Sequence, residues 1–302
     1  MERHLRIQSY WSQLAIFVML FGVFFLVFGF IQYGLYTAYD IGLKPDLKNP
    51  RVLTVVKWAQ GASSVMVFLL PAFAAILLSY KGRYAYFMGF KKADKANMYV
   101  LSALVVLLSL PFVFWLGQIN QQIPLPSWMK QLEQDAAQQM SAFLKVNSSF
   151  DIIINLIIIA LLPAIGEELC FRAVLQRIII GITKNAWAGI IITGFLFSAL
   201  HLQFEGFIPR MFLGILLGAL YWFSGSLWTS ILAHFVFNGI QVLVVSYAPV
   251  YASQSPSPNF LLSIVSGLAV FAILYFYTRQ STINYEKVYE TEALNQHNQF
   301  IA

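Results

Sequence analysis

Long apolar runs separated by short polar stretches set the architecture of this chain before any motif is considered. A helix that crosses the hydrocarbon core of a bilayer needs roughly twenty mostly apolar residues. By that measure the sequence predicts eight spans, at 14–37, 58–80, 98–118, 150–168, 186–203, 208–224, 226–248 and 259–278. The stretch between the third and fourth, 119–149, is amphipathic. Trp128, Leu132, Ala136, Met140 and Phe143 recur at helical spacing with polar residues opposite, the pattern of a helix lying in the membrane interface. The polar tail after Arg279 is expected to fray. The predicted fold is all-α, a polytopic transmembrane helix bundle of about eight spans.

Composition supports the same class. The chain is 59% hydrophobic and 11% charged, against about 25% charged for soluble domains. Its net charge of +6 is no nucleic-acid footprint, because Lys and Arg fall in short stretches between apolar runs, where they set topology. If all eight segments cross and the N-terminus is cytoplasmic, the inside stretches hold Arg3, Arg6, Lys81, Arg83, Lys91, Lys92, Lys95, Arg172, Arg177, Lys184, Arg279 and Lys287, which is 12 of the 19 basic residues. The loop 81–95 gives the strongest signal, and both termini are then expected in the cytoplasm. The first apolar run, Leu14 to Leu35, has no small-residue cleavage site behind it and reads as a span rather than a removed signal peptide.

Against this background the ionisable residues stand out, since a charge within an apolar span is costly and is a functional candidate by default. The run IIINLIIIALL ends in PAIGEELCFR, residues 163–172. Glu168 and Arg172 are an i,i+4 pair and can share charge. Glu167 points about 100° away around the helix and is left free for proton transfer. Pro163, four residues before Glu167, removes a helix hydrogen bond and loosens that turn. FSALH ends at His201, and HFVFN puts His234 and Asn238 on one helix face. Arg210 follows Pro209 at the start of a span. The single cysteine, Cys170, can form no disulfide within the chain; it reads as a buried packing residue rather than a nucleophile.

The ordered motifs Glu167-Glu168-Leu-Cys-Phe-Arg172, Phe197-Ser-Ala-Leu-His201 and His234-Phe-Val-Phe-Asn238 resemble those of the CPBP family, which contains the type II CAAX prenyl endopeptidases and related bacterial membrane proteins. The likeness covers roughly residues 150–248. It implies an intramembrane endopeptidase, in a bacterial cytoplasmic membrane, with its active site in a cavity inside the bundle. Glu167 and His201 would activate a water, and His234 and Asn238 would stabilise the oxyanion. Glu168, Arg172 and Arg210 would support the site or bind substrate. The chain then divides into an N-terminal membrane region (1–149), a catalytic core (150–250), and a last span with a polar tail (251–302). The expected partners are the lipid bilayer and a peptide or protein substrate, with no nucleic acid.

No cofactor is expected. The alternative within enzymes is a zinc metalloprotease that uses Glu167, His201 and His234 as ligands with water in the fourth position. The chain has no HExxH, and Asn is an uncommon zinc ligand. A non-enzymatic bacteriocin-immunity or scaffold protein would not need every one of these polar residues intact. A transporter would spread them over both halves of the chain, whereas here they are confined to the second.

Overall fold

The computed structural model describes Ile7 and residues 9–42, 44–82, 84–146, 148–252, 256–285 and 288–289. Nine helices carry the architecture: α1 Tyr10–Ala38, α2 Pro50–Ser79, α3 Asn97–Asn120, α4 Ser127–Leu144, α5 Ser149–Thr183, α6 Ala186–Ala199, α7 Phe207–Ser224, α8 Leu227–Tyr247 and α9 Phe260–Gln280. There is no strand among the described residues. Seven helices are long and apolar enough to cross a membrane, and α6 is a shorter apolar helix of 14 residues. Each of the eight predicted spans is a helix, and the protein is built as an integral membrane protein. The ninth helix, α4, is the amphipathic one. It buries Phe143 and Leu144 at its end and leaves Trp128, Leu132 and Met140 exposed.

Several boundaries differ from the sequence reading, and local chemistry explains the two largest shifts. Helix α2 begins at Pro50 rather than 58, because Asn49 caps it through Arg51 N and Pro50 supplies a fixed first-turn φ. Lys57 therefore lies inside a helix. Its Nζ donates to Phe143 O at 2.8 Å and to Asn155 Oδ1 at 2.9 Å, tying α2, α4 and α5 together.

Helix α5 is the larger correction. It starts at a reciprocal capping box between Ser148 and Asp151 and does not stop near 168. It runs 35 residues to Thr183, where Lys184 turns the chain in the left-handed region at φ 54. Every residue from 166 to 181 is buried, and its apolar members pack against Phe17, Ala72, Ala75 and Ile76 of α1 and α2. The supposed connection 169–185 is thus mostly central helix, and Arg172 and Arg177 are buried residues rather than loop charges. On the opposite side of the charge count, Lys57 and Arg210 likewise sit within helices. Arg3, Arg6, Arg83 and Lys287 lie outside the described residues. Finally, α6 ends at Ala199, short of the expected 203.

The basic loop 81–95 packs against the α7–α8 turn and the chain after α9. Leu227 N donates to Gly89 O, Asp94 N donates to Ser224 O, and Thr282 donates to Asp94 from both its backbone and its hydroxyl. The described part of the tail does not fray as expected. Tyr285 and Tyr289 stack at 4.7 Å, and the Tyr289 hydroxyl donates to Arg177 O at 2.7 Å. Aromatic side chains at 285 and 289 outweigh the polar composition around them.

Candidate active site

The site is built on a disturbed stretch of α5. A π turn at Leu156–Leu161 precedes Pro163, and such turns mark places where a helix departs from its regular hydrogen bonding. Pro163 has no N–H to give the Ile159 carbonyl four residues back. Asn238 Nδ2, on α8, donates to that carbonyl at 3.4 Å. Helix α2 has the same arrangement, a π turn at Ser64–Leu69 ahead of Pro71. The two helices meet at Gly166, where a Cβ would lie 2.5 Å from Ser64 O. The residue before Glu167 must therefore be glycine for this packing.

Glu167 and Glu168 leave that turn in different directions. Glu168 is fully buried, and its Oε2 lies 3.1 Å from Arg172 Nε. Arg172 is also fully buried. Its Nη2 donates to Gly214 O at 3.3 Å, and its guanidinium lies 4.6 Å from the Phe197 ring centre. Neither residue is in the lining of the cavity that Glu167 faces; both are placed behind its wall. Glu167 instead faces a cavity of about 690 Å³ whose lining also includes His201, His234, Asn238 and Arg210.

The corrected helix ends bring Glu167 and His201 together. With straight spans ending at 168 and 203, the two would sit at different depths. In the structure Glu167 lies sixteen residues before the end of α5 and His201 fifteen residues after the start of α6. The helices are antiparallel neighbours, so both residues reach the same level. His201 occupies the turn beyond α6, with Leu202 in the left-handed region at φ 53. Its Nδ1 lies 2.7 Å from Phe197 O. A carbonyl only accepts, so Nδ1 carries a proton and Nε2 faces Glu167.

His234 is held from the other side. Its Nδ1 lies 2.8 Å from Glu168 Oε1. The Nε2 atoms of His201 and His234 each lie 3.9 Å from Glu167 Oε2. The Phe197 ring packs edge-on against both imidazoles, at 4.9 and 6.0 Å. A separation of 3.9 Å is too long for a direct hydrogen bond and leaves room for one bridging water. It is also wider than the spacing of about 3.4 Å between ligand atoms bonded tetrahedrally to one zinc. Among the described residues, no group of three or more His, Cys, Asp or Glu side chains is arranged to hold a metal ion. Cys170 is buried among apolar residues and lies outside the cavity lining.

Three contributors escaped the sequence reading. Phe197 opens the FSALH motif, yet its packing on both histidines has no sequence signature. Asn120 resembles an ordinary polar residue at the end of a span. It is in fact buried, donating to Phe204 O at 2.7 Å and accepting from Ile208 N at 2.6 Å, and so clamps the turn after His201. Gln203 holds Arg210: Nη1 donates to its backbone O at 3.0 Å and Nη2 to its Oε1 at 2.6 Å.

Residues 149–240, which contain all of these motifs, match the family model of Rce1-like type II CAAX prenyl endopeptidases. This segment is similar to Rce1-like domains. Searches of curated proteins and of solved structures found no match to the chain. An Rce1-like domain built from membrane-crossing helices supports a general assignment as an intramembrane endopeptidase.

Proposed function

We propose that the protein hydrolyses a peptide bond inside the membrane with a water activated by Glu167. One observation carries this reading. Glu167 Oε2 faces the Nε2 atoms of two histidines at equal distances of 3.9 Å, at the wall of a cavity large enough for a peptide segment. An amide is a poor electrophile, and water attacks it only when a base takes the proton as the bond forms. In this reading Glu167 takes that proton and the water oxygen bonds to the carbonyl carbon. His201 accepts the second water hydrogen at Nε2 and fixes the direction of attack. When the tetrahedral intermediate collapses, the C–N bond breaks and Glu167 returns its proton to the departing amine.

The carbonyl oxygen gains negative charge as the water adds, so donors aimed at it lower the barrier. His234 has its Nδ1 against the Glu168 carboxylate, so it offers a proton to the cavity from Nε2 when it is protonated on both nitrogens. Glu168 fixes the ring through Nδ1, and Arg172 holds Glu168 in place. Asn238, one turn along α8, is the second donor. The reading is tested by incubating the purified protein in detergent with apolar peptides and identifying new termini by mass. Cleavage by the wild type that is lost in Glu167→Gln supports it; cleavage that persists in the variant removes Glu167 from the reaction.

A further inference from the structure

The cavity has a second charged feature, away from the glutamate and histidine cluster. Arg210 is half-buried in its wall, on the first turns of α7. The two buried cations of this region are handled differently. Arg172 is sealed behind the wall and paired with Glu168 at 3.1 Å. Arg210 has no carboxylate within 4.0 Å among the described residues. Glu133 and Glu167 act on it only at longer range, and Glu133 Oε1 accepts from Glu205 N at 3.0 Å.

What holds Arg210 is neutral. Gln203 accepts from both terminal nitrogens, through its main-chain and side-chain oxygens, and Gly206 lets the guanidinium lie against the backbone, 3.0 Å from where a Cβ would stand. This arrangement orients the group without neutralising it. Among the described residues Arg210 faces the cavity with no carboxylate in contact with it, and a fixed guanidinium plane is suited to a carboxylate. Arg210, Glu167 and His201 line one cavity, so a group bound at Arg210 can belong to the same substrate.

We propose that Arg210, oriented by Gln203, is a carboxylate-binding subsite that selects substrates carrying a carboxylate close to the bond to be cut. This rests on the peptidase reading and adds what the cavity recognises. The carboxylate comes either from the substrate's own chain end or from an acidic side chain. A guanidinium tied only to Gln203 could instead serve to brace the turn that carries His201; that role has no interest in the substrate's charge.

The test uses three versions of one short apolar peptide: free C-terminal acid, C-terminal amide, and an amide with one Glu near its end. Wild-type kcat/KM should favour at least one acidic version over the plain amide by about tenfold or more, the lower end for a charge-assisted hydrogen bond. Preference for the free acid alone identifies the chain end; equal preference for the Glu amide identifies any carboxylate. In Arg210→Gln the acid-to-amide ratio should fall towards one, mainly through KM. Arg210→Lys should retain part of it. A bracing role alone would lower all three peptides alike and leave the ratio unchanged, which overturns the proposal.

The same peptides are also titrated onto Glu167→Gln, with Kd read by fluorescence. An acid preference in Kd that Arg210→Gln abolishes upholds the subsite even if no peptide is cleaved, in which case only the peptidase reading fails. No acid preference in either Kd or kcat/KM overturns the subsite.

Discussion

His234 meets Glu168 rather than Glu167: Nδ1 and Oε1 lie 2.8 Å apart, while Nε2 stands 3.9 Å from Glu167. Two carboxylates adjacent in sequence thus have separate tasks. Glu168 is fully buried between an imidazole and the Arg172 guanidinium, whereas Glu167 faces the cavity. Breaking a buried pair from one side leaves an uncompensated charge and typically costs about 3–5 kcal/mol. Glu168→Gln should therefore lower thermal stability in detergent by that order and lower turnover with it. Adding Arg172→Met should recover part of the stability, since the stranded cation is then gone. A Glu168→Gln protein as stable as the wild type would show that the ion pair contributes nothing to the fold.

Gly166 is the narrow point between α2 and α5. A methyl group there would lie 2.5 Å from the Ser64 carbonyl, which is backbone and cannot rotate away. Gly166→Ala should separate the helices and cost about 1–3 kcal/mol, the usual range for overpacking. Because Glu167 is the next residue, activity should fall further than the folded fraction. Thermal unfolding and turnover per folded molecule, measured together, check both parts.

Asn238 tests the oxyanion assignment against a simpler role. It already donates to the Ile159 carbonyl left without its partner by Pro163, although at a long 3.4 Å. If it also stabilises the transition state, Asn238→Ala should lower kcat more than it raises KM, by about a hundredfold or some 3 kcal/mol. If it only satisfies that carbonyl, the melting temperature falls and turnover per folded molecule holds. Both are measured on one preparation.

Metal dependence separates the glutamate reading from a zinc site made of Glu167, His201 and His234. An active preparation should contain well under one zinc per chain and keep its activity after strong chelation. Stoichiometric zinc, with activity lost on its removal and restored on adding it back, would establish the metalloprotease instead.

The helical bundle was legible because hydrocarbon imposes a length on every span, so Leu14–Leu35 or Phe260–Gln280 could be read by counting alone. The motif residues were legible because Glu167, His201 and His234 stand in otherwise apolar runs. The span ends were not. Arg172 and Arg177 resemble loop charges, and only the depth of burial around α5 shows them to be interior. That error placed Glu167 at a helix end and left it remote from His201. Lys57 misled in the same way: its carbonyl and amide partners, Phe143 and Asn155, lie 86 and 98 residues away. Partners that distant leave no periodic mark in the sequence.

The central claim is that Glu167 is the base, and Glu167→Gln addresses it most directly. The substitution keeps the side chain's size and removes its capacity to take a proton. Among the described residues Glu167 has no partner at hydrogen-bonding distance, its nearest being the two histidines at 3.9 Å, so the variant should fold and melt close to the wild type. Its kcat on a peptide cleaved by the wild type should fall at least about a hundredfold, the lower end for loss of a general base. Near-normal turnover in a folded Glu167→Gln protein would contradict the account.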